Sequence, residues 1–204
     1  MTLAADDILI SQTLLDDLSR VSRKFGHLGK WTSEAYFALD GNYLVELANG
    51  RLEVLPVPTV THQRVLRRLF VALQNWANTN GGEVLFAGTR VKTGDERFRE
   101  PDLLFIPPDW SHLVHEQYVE RIALAIEVVS ESNRRHDLET KRSEYAEAGI
   151  PEYWIVDPDV QQILVLKLDK GHYVTHGEFG PGDRATSAFL PAFTVDVSET
   201  FAGA

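Results

Sequence analysis

Three short apolar runs constrain this chain most. They are Leu103-Leu104-Phe105-Ile106, stopped by Pro107-Pro108; "RIALAIEVVS" over 121–130; and "PEYWIVDP" over 151–158. Each is short enough for a strand and too evenly apolar to have one wet face. Strands of this kind are covered on both sides, so helices must lie above and below their sheet. Those helices are legible. "TVTHQRVLRRLFVALQNWANTNGG" places Val65, Leu66, Leu69, Phe70, Leu73 and Trp76 at helical spacing and stops at Gly81-Gly82. "WTSEAYFAL" reads as a short helix capped by Thr32 or Ser33, and "RRHDLETKRSEYAEAG" as a helix ending at Gly149. "YLVELANGRLEVL" is a hairpin turning at Asn49-Gly50. "EVLFAG" and "TRVKTG" are short strands. "QILVLKL" and "HYVTHGEF" form a second hairpin around Asp169, Lys170 and Gly171, and "LPAFTVDVSETF" ends the chain with a strand. The fold class is α/β, a mixed central sheet flanked by helices.

Two acids break the apolar pattern. Asp102 stands at the mouth of one buried run, behind Pro101 and beside Glu100, and Glu127 lies between Ile126 and Val128 in another. A carboxylate at a core edge is costly unless something pairs with it. The 25 residues between them leave room for a loop and a return, so the strands can lie side by side and the carboxylates can converge. Like charges at close range repel, and a hard divalent cation, Mg²⁺ or Mn²⁺, removes that conflict. Lys141, on the following helix, can reach back to steady a phosphate oxygen or a water. Glu46 in the first hairpin can add another acid, Glu53 is a weaker candidate, and His62 and Gln63 can face the same cleft.

Structural readings stand beside these. Asp102 can cap a turn. Arg121 or Lys141 can be a purely structural partner of Glu127, and Lys141 can pair with Asp137 four residues earlier. His62 is more simply a surface residue at a helix start. His112 and His115 lack a third ligand. The pairs Arg67-Arg68 and Arg134-Arg135 are solvated faces or phosphate contacts.

The 204 residues suit one main domain, assigned to residues 31–204, with residues 1–30 a helical extension. A net charge of −10 weighs against a general nucleic-acid coat protein but leaves a nuclease open, since metals need acids. With no cysteine, disulfides and thiolate metal sites are excluded and a cytoplasmic location is expected.

The pieces "VELANGRLEVLPVPTVTHQRV", "EPDLLFI", "AIEVVSESNRRHDLETKRSEYAEAGIPEYWIVDP" and "LPAFTVDV" run in an order that resembles the Uma-two family of restriction-endonuclease-like proteins, over roughly residues 31–200. The resemblance implies a PD-(D/E)XK nuclease core with metal acids at strand ends. Pro101-Asp102 matches the PD element and Glu127 the second acid. The position two after Glu127 is Val129, so the resemblance makes Lys141 the basic residue, supplied from the next helix, and matches Glu46 to the acid before the hairpin turn. It implies Mg²⁺- or Mn²⁺-dependent hydrolysis of DNA phosphodiesters, with Asp102 and Glu127 on the metal, Lys141 and Glu46 completing the catalytic set, and a homodimer or higher homo-oligomer as the working unit. Two alternatives remain at this point: a non-catalytic oligomeric binding module that retains the nuclease fold, and a hydrolase of smaller phosphoesters.

Overall fold

Six strands form the main sheet of the computed structural model, which describes Asp16 and residues 18–20, 30–39, 43–130 and 134–203. They are β3 (Glu83–Phe86), β6 (Leu103–Ile106), β7 (Leu124–Val128), β8 (Glu152–Asp157), β9 (Gln162–Asp169) and β10 (His172–Phe179), in the order β10-β9-β8-β7-β6-β3. Only β7 and β8 run parallel. That pair needs a crossover, and the chain supplies a π-turn (His136–Lys141) followed by α3 (Arg142–Glu147).

Both faces of this sheet are covered. Leu103, Phe105, Leu124, Ile126, Trp154 and Val156 face the long helix α2 (Val60–Asn80). Leu104, Ile106, Ala125, Tyr153 and Ile155 pack with Tyr145 and Ala146 of α3 on the other face. β6, β7 and β8 have every residue buried, so they lack the alternation of a half-wet strand. On α2, Val65, Leu66, Leu69, Leu73 and Ala77 form the buried stripe, and each of the larger ones contributes about 1.5–3 kcal/mol. Thr59 caps that helix by accepting from the His62 amide.

A second, four-stranded sheet has the order β2-β1-β5-β4, from β1 (Val45–Ala48), β2 (Arg51–Val54), β4 (Val91–Gly94) and β5 (Arg97–Arg99). Asn49 and Gly50 both have positive φ (52° and 84°), the geometry that a two-residue hairpin requires. Helix α1 (Ser33–Phe37), with Thr32 as its cap, covers this sheet through Ala35 and Tyr36.

Several expectations need correction. The segment after "TRVKTG" makes a further strand, β5, through a turn at Asp95-Glu96, where Glu96 has φ 51°. The predicted helix over 134–149 opens as a π-turn. The chain does not finish on a strand: β12 (Thr194–Asp196), paired with β11 (Arg184–Thr186), runs into α4 (Val197–Phe201), capped by Asp196. The proposed extension over residues 1–30 lies largely outside the described residues; Leu18 packs on the α1 cluster, and Arg20 donates to the Ala38 carbonyl at 3.0 Å. No helix among the described residues is long and apolar enough to cross a membrane.

Candidate active site

The β6–β7 ladder pairs Leu103 with Ile126, Leu104 with Ala125 and Phe105 with Leu124. One further step in that register sets Asp102 opposite Glu127. Both share the parity of Leu104 and Ala125, so both sit on the α3 face of the sheet. Asp102 Oδ2 accepts the Val128 amide at 2.8 Å, binding the carboxylate to the neighbouring strand, and accepts from His62 Nε2 at 2.9 Å. A carboxylate accepts only, so His62 carries its proton on Nε2.

Glu127 is met from the other side. Its Oε1 accepts from Lys141 Nζ at 2.8 Å and from the Tyr145 hydroxyl at 2.7 Å. Lys141 Nζ also stands 3.4 Å from Asp137 Oδ1 and 3.8 Å from Glu46 Oε1. The π-turn supplies both Asp137 and Lys141, the kind of local irregularity that accumulates at functional sites.

Asp102, Glu127, Asp137 and Lys141 line one cavity of about 140 Å³, whose charged or ionisable wall also includes His62 and Glu100 and whose apolar members include Leu55, Pro56, Val57 and Pro58. Four carboxylates there face one ammonium and one imidazole. The consequence is visible in the proton affinities. Burial, with the fields of Asp102 and Asp137 added, pushes Glu127 up to about 8 despite Lys141. Burial raises Asp137 as well, with Lys141 opposing it and Asp102 reinforcing it. Glu100 rises to about 7 through burial and the field of Glu46. Burial alone would lower Lys141, but Glu127, Glu46, Asp137 and Asp102 outweigh it and hold the ammonium well above its ordinary range.

Among the described residues, three buried side-chain atoms make no well-aligned hydrogen bond: His62 Nδ1, Glu100 Oε2 and Asp137 Oδ1, the last of which faces Lys141 Nζ at 3.4 Å. All three belong to residues of this one wall. Orphaned buried polar atoms are costly and scarce, so their concentration here marks a place built for something polar.

Glu46 is placed differently. It is fully buried, lies outside the cavity wall, and accepts from Arg99 Nη1 at 2.7 Å and from the Glu100 amide at 2.8 Å. Burial would raise its proton affinity, but Lys141 and Arg99 more than offset this and hold it below the usual carboxylate range. Arg99 is itself buried and clasps Glu144 through Nε at 2.6 Å and Nη2 at 3.0 Å, with Glu53 as a further acceptor. Glu46, Glu53 and His136 bring potential ligand atoms within 4.8 Å of one another. Arg99 already pairs with both glutamates of that group.

His62, read both as able to face the cleft and as a surface residue, is a wall residue whose side chain is 12% exposed. Arg121 does not reach Glu127; its guanidinium lies 4.4 Å over the Trp110 ring. The Asp137–Lys141 pair exists, but in the interior rather than on a helix surface. Arg134 is tied to Asp157 and Asp159. Arg67 and Arg68 line a separate cleft shared with Arg184, Asp196 and Glu199. Sequence reasoning missed Arg99, Asp137 as a wall residue, Glu144 and Tyr145. The strand alternation around Phe98 was the one available signal for Arg99, and the four-residue step from Lys141 to Tyr145 the one for the tyrosine.

A family model described as "Putative restriction endonuclease", Uma2, matches residues 33–198. The chain belongs to the Uma2 family. A solved structure from Anabaena variabilis ATCC 29413, described as "a putative nuclease belonging to DUF820", is similar over 83% of this chain and 97% of its own, at 14% identity and a TM-score of 0.69. That likeness shows that the two chains share a fold. The type IIG restriction endonuclease BpuSI is matched over 72% of this chain and 16% of its own length, at 18% identity and a TM-score of 0.40. No curated protein matches. The Uma2 match covers both strands that bear Asp102 and Glu127 and the turn that bears Lys141.

Proposed function

We propose that this Uma2 protein is a Mg²⁺- or Mn²⁺-dependent endonuclease that hydrolyses DNA phosphodiester bonds in the cavity between β6, β7 and the π-turn. The observation that carries the reading is the coincidence of all three orphaned buried atoms with the wall that holds Asp102, Glu127 and Lys141. The donor set fits a hard cation: it is made of carboxylate oxygens, and burial, with the fields of Asp102 and Asp137 added, raises Glu127 to about 8, a proton that a bound cation would displace. Asp102 and Glu127 would hold the ion, since the bonds to each use one oxygen, Oδ2 and Oε1. The ion, when bound, supplies charge neutralisation at the scissile phosphate and lowers the pKa of water.

The rest is done by the chain. Val128 and His62 fix the Asp102 carboxylate. Tyr145 and Lys141 fix Glu127. Lys141, kept charged by four acids, presents a permanent ammonium to a phosphate oxygen. Glu46 and Arg99 hold that ammonium from behind. A homodimer belongs to this reading, because two copies of a small core can cut both strands of a duplex at one site.

The test is cleavage of supercoiled and linear DNA with Mg²⁺ or Mn²⁺, alongside calorimetric titration of Mn²⁺ into the wild type and Asp102→Ala. Cleavage and a binding heat that both vanish in the variant support the reading. Heat without cleavage on any DNA, but turnover of a small phosphodiester, would move the substrate to the smaller class. Neither heat nor cleavage leaves the binding-module alternative. Light scattering reads the oligomeric state.

A further inference from the structure

Hydrolysis by attacking water needs an acceptor for the water's proton, and the residues described so far are poorly suited to it. Lys141 holds its proton under the field of four acids. Asp102 is bound by a main-chain amide and an imidazole, and Glu127 by an ammonium and a phenol. Resting on the nuclease reading above, we propose that Asp137 is the general base, taking the proton of the attacking water on Oδ1. As the water oxygen forms its bond to phosphorus, one proton passes to Asp137 and the bond to the leaving sugar oxygen breaks. The departing alkoxide then takes a proton from solvent, and Asp137 returns its proton to solvent.

The geometry singles out this side chain. Asp137 lies on the π-turn, its side chain is 5% exposed, and it lines the same cavity as Asp102, Glu127 and Lys141. Its Oδ1 is buried and makes no well-aligned hydrogen bond among the described residues, its ion pair with Lys141 aside. The nearest cation, Lys141 Nζ, is 3.4 Å away and closer to Glu127, at 2.8 Å. Its main chain is pinned, because the Tyr153 hydroxyl donates to the Asp137 carbonyl at 3.1 Å. The charged groups that face it come from three elements: Asp102 from the mouth of β6, Glu127 from β7, and His136 and Lys141 from its own turn. Burial, with the field of Asp102 added and Lys141 and His136 opposing, holds its proton affinity above that of a free aspartate, which makes it a stronger base. Asp137, Glu46 and Glu127 are the three carboxylates ranged about Lys141. Of these, Glu127 is engaged by two donors and Glu46 lies behind the wall. His62 is a competitor, since its Nδ1 is also an orphan, but its other nitrogen is committed to Asp102.

The experiment compares wild type, Asp137→Asn, Asp137→Gly and His62→Gln. Manganese binding is read by calorimetry and DNA cleavage across pH at saturating Mn²⁺. The expected result is Mn²⁺ affinity in Asp137→Asn within about threefold of wild type, with kcat lower by about 10²–10⁴-fold. The residual rate should climb with hydroxide concentration, and formate added to the assay should restore part of the Asp137→Gly rate. A base defect predicts that rescue, whereas simple misfolding does not, and thermal melts of both variants check the fold directly. Cleavage by Asp137→Asn at the wild-type rate overturns the proposal and leaves the nuclease reading standing. Loss of the Mn²⁺ heat in Asp137→Asn overturns it too, by making Asp137 a ligand. A hydroxide-dependent rate in His62→Gln, but not in Asp137→Asn, gives the role to His62. A wild type that cuts no DNA with either metal removes both readings together.

Discussion

Two buried charge clusters lie side by side here and are built on opposite principles. Around Arg99, one guanidinium meets Glu46, Glu53 and Glu144, and the two buried glutamates receive short hydrogen bonds. Across Lys141, the cavity holds Glu100, Asp102, Glu127 and Asp137, with three wall atoms that make no well-aligned hydrogen bond. The first cluster is closed. The second relieves its crowding by holding protons, with Glu127 raised to about 8 and Glu100 to about 7. Burial alone therefore does not mark function; burial without satisfaction does. Lys141 joins the two, touching Glu46 on one side and Glu127 on the other.

The sharpest way to break this contrast is to remove the cavity acids. Asp102→Ala and Glu127→Ala should each lower DNA cleavage by about 10³-fold or more, equivalent to about 4 kcal/mol of barrier, while circular dichroism shows a folded protein. Next in size is the closed cluster. Arg99→Met strands buried glutamates and should cost about 3–5 kcal/mol in chemical denaturation. If that variant were as stable as wild type, the cluster would not be the structural half of the comparison.

The pH dependence of stability separates the clusters further. Glu127 rises from 4.5 to about 8 in the fold and Glu100 from 4.5 to about 7. Between those limits the folded state holds protons that the unfolded state has released. Metal-free stability therefore falls as pH rises, from pH 4.5 up to 7 for Glu100 and up to 8 for Glu127, at about 1 kcal/mol per pH unit for each group. Glu127→Gln should flatten the upper part of that curve, read from denaturation midpoints between pH 5 and 9. For the same reason Mn²⁺ binding at pH 7 should release about one proton per site, measured as a dependence of the calorimetric heat on buffer ionisation. The smallest effect lies outside both clusters: Arg135→Ala, which removes an exposed pair with Glu139, should leave the melting midpoint unchanged.

The sheet and long helix were legible because their signals are local. Apolar runs bounded by prolines gave β6 and β8, and the Val65–Leu73 stripe gave α2. Asp102 and Glu127 were legible as carboxylates set against apolar neighbours, and a two-strand register is enough to bring them together. What escaped depends on pairing across distance. Arg99 reads as one more charge in "DERFRE", and only the adjacency of β5 to β1 turns it toward Glu46. His62 reads as a solvated helix start until β6 brings Asp102 beneath it. Asp137 and Lys141 are four apart, the spacing of a surface ion pair, and a π-turn leaves no signature in residue types.

That turn bears on how such a protein changes over generations. A wider turn holds one residue more than the regular helix it replaces, which is what a single inserted codon leaves behind. Deleting one codon between Asp137 and Lys141 would turn Asp137 by about 100° around the axis relative to Lys141 and α3, while Glu144, which lies in α3 beyond the deletion, would keep its register toward Arg99. A lineage can thus silence the chemistry in a single hereditary step and still inherit an intact scaffold, free to be recruited elsewhere.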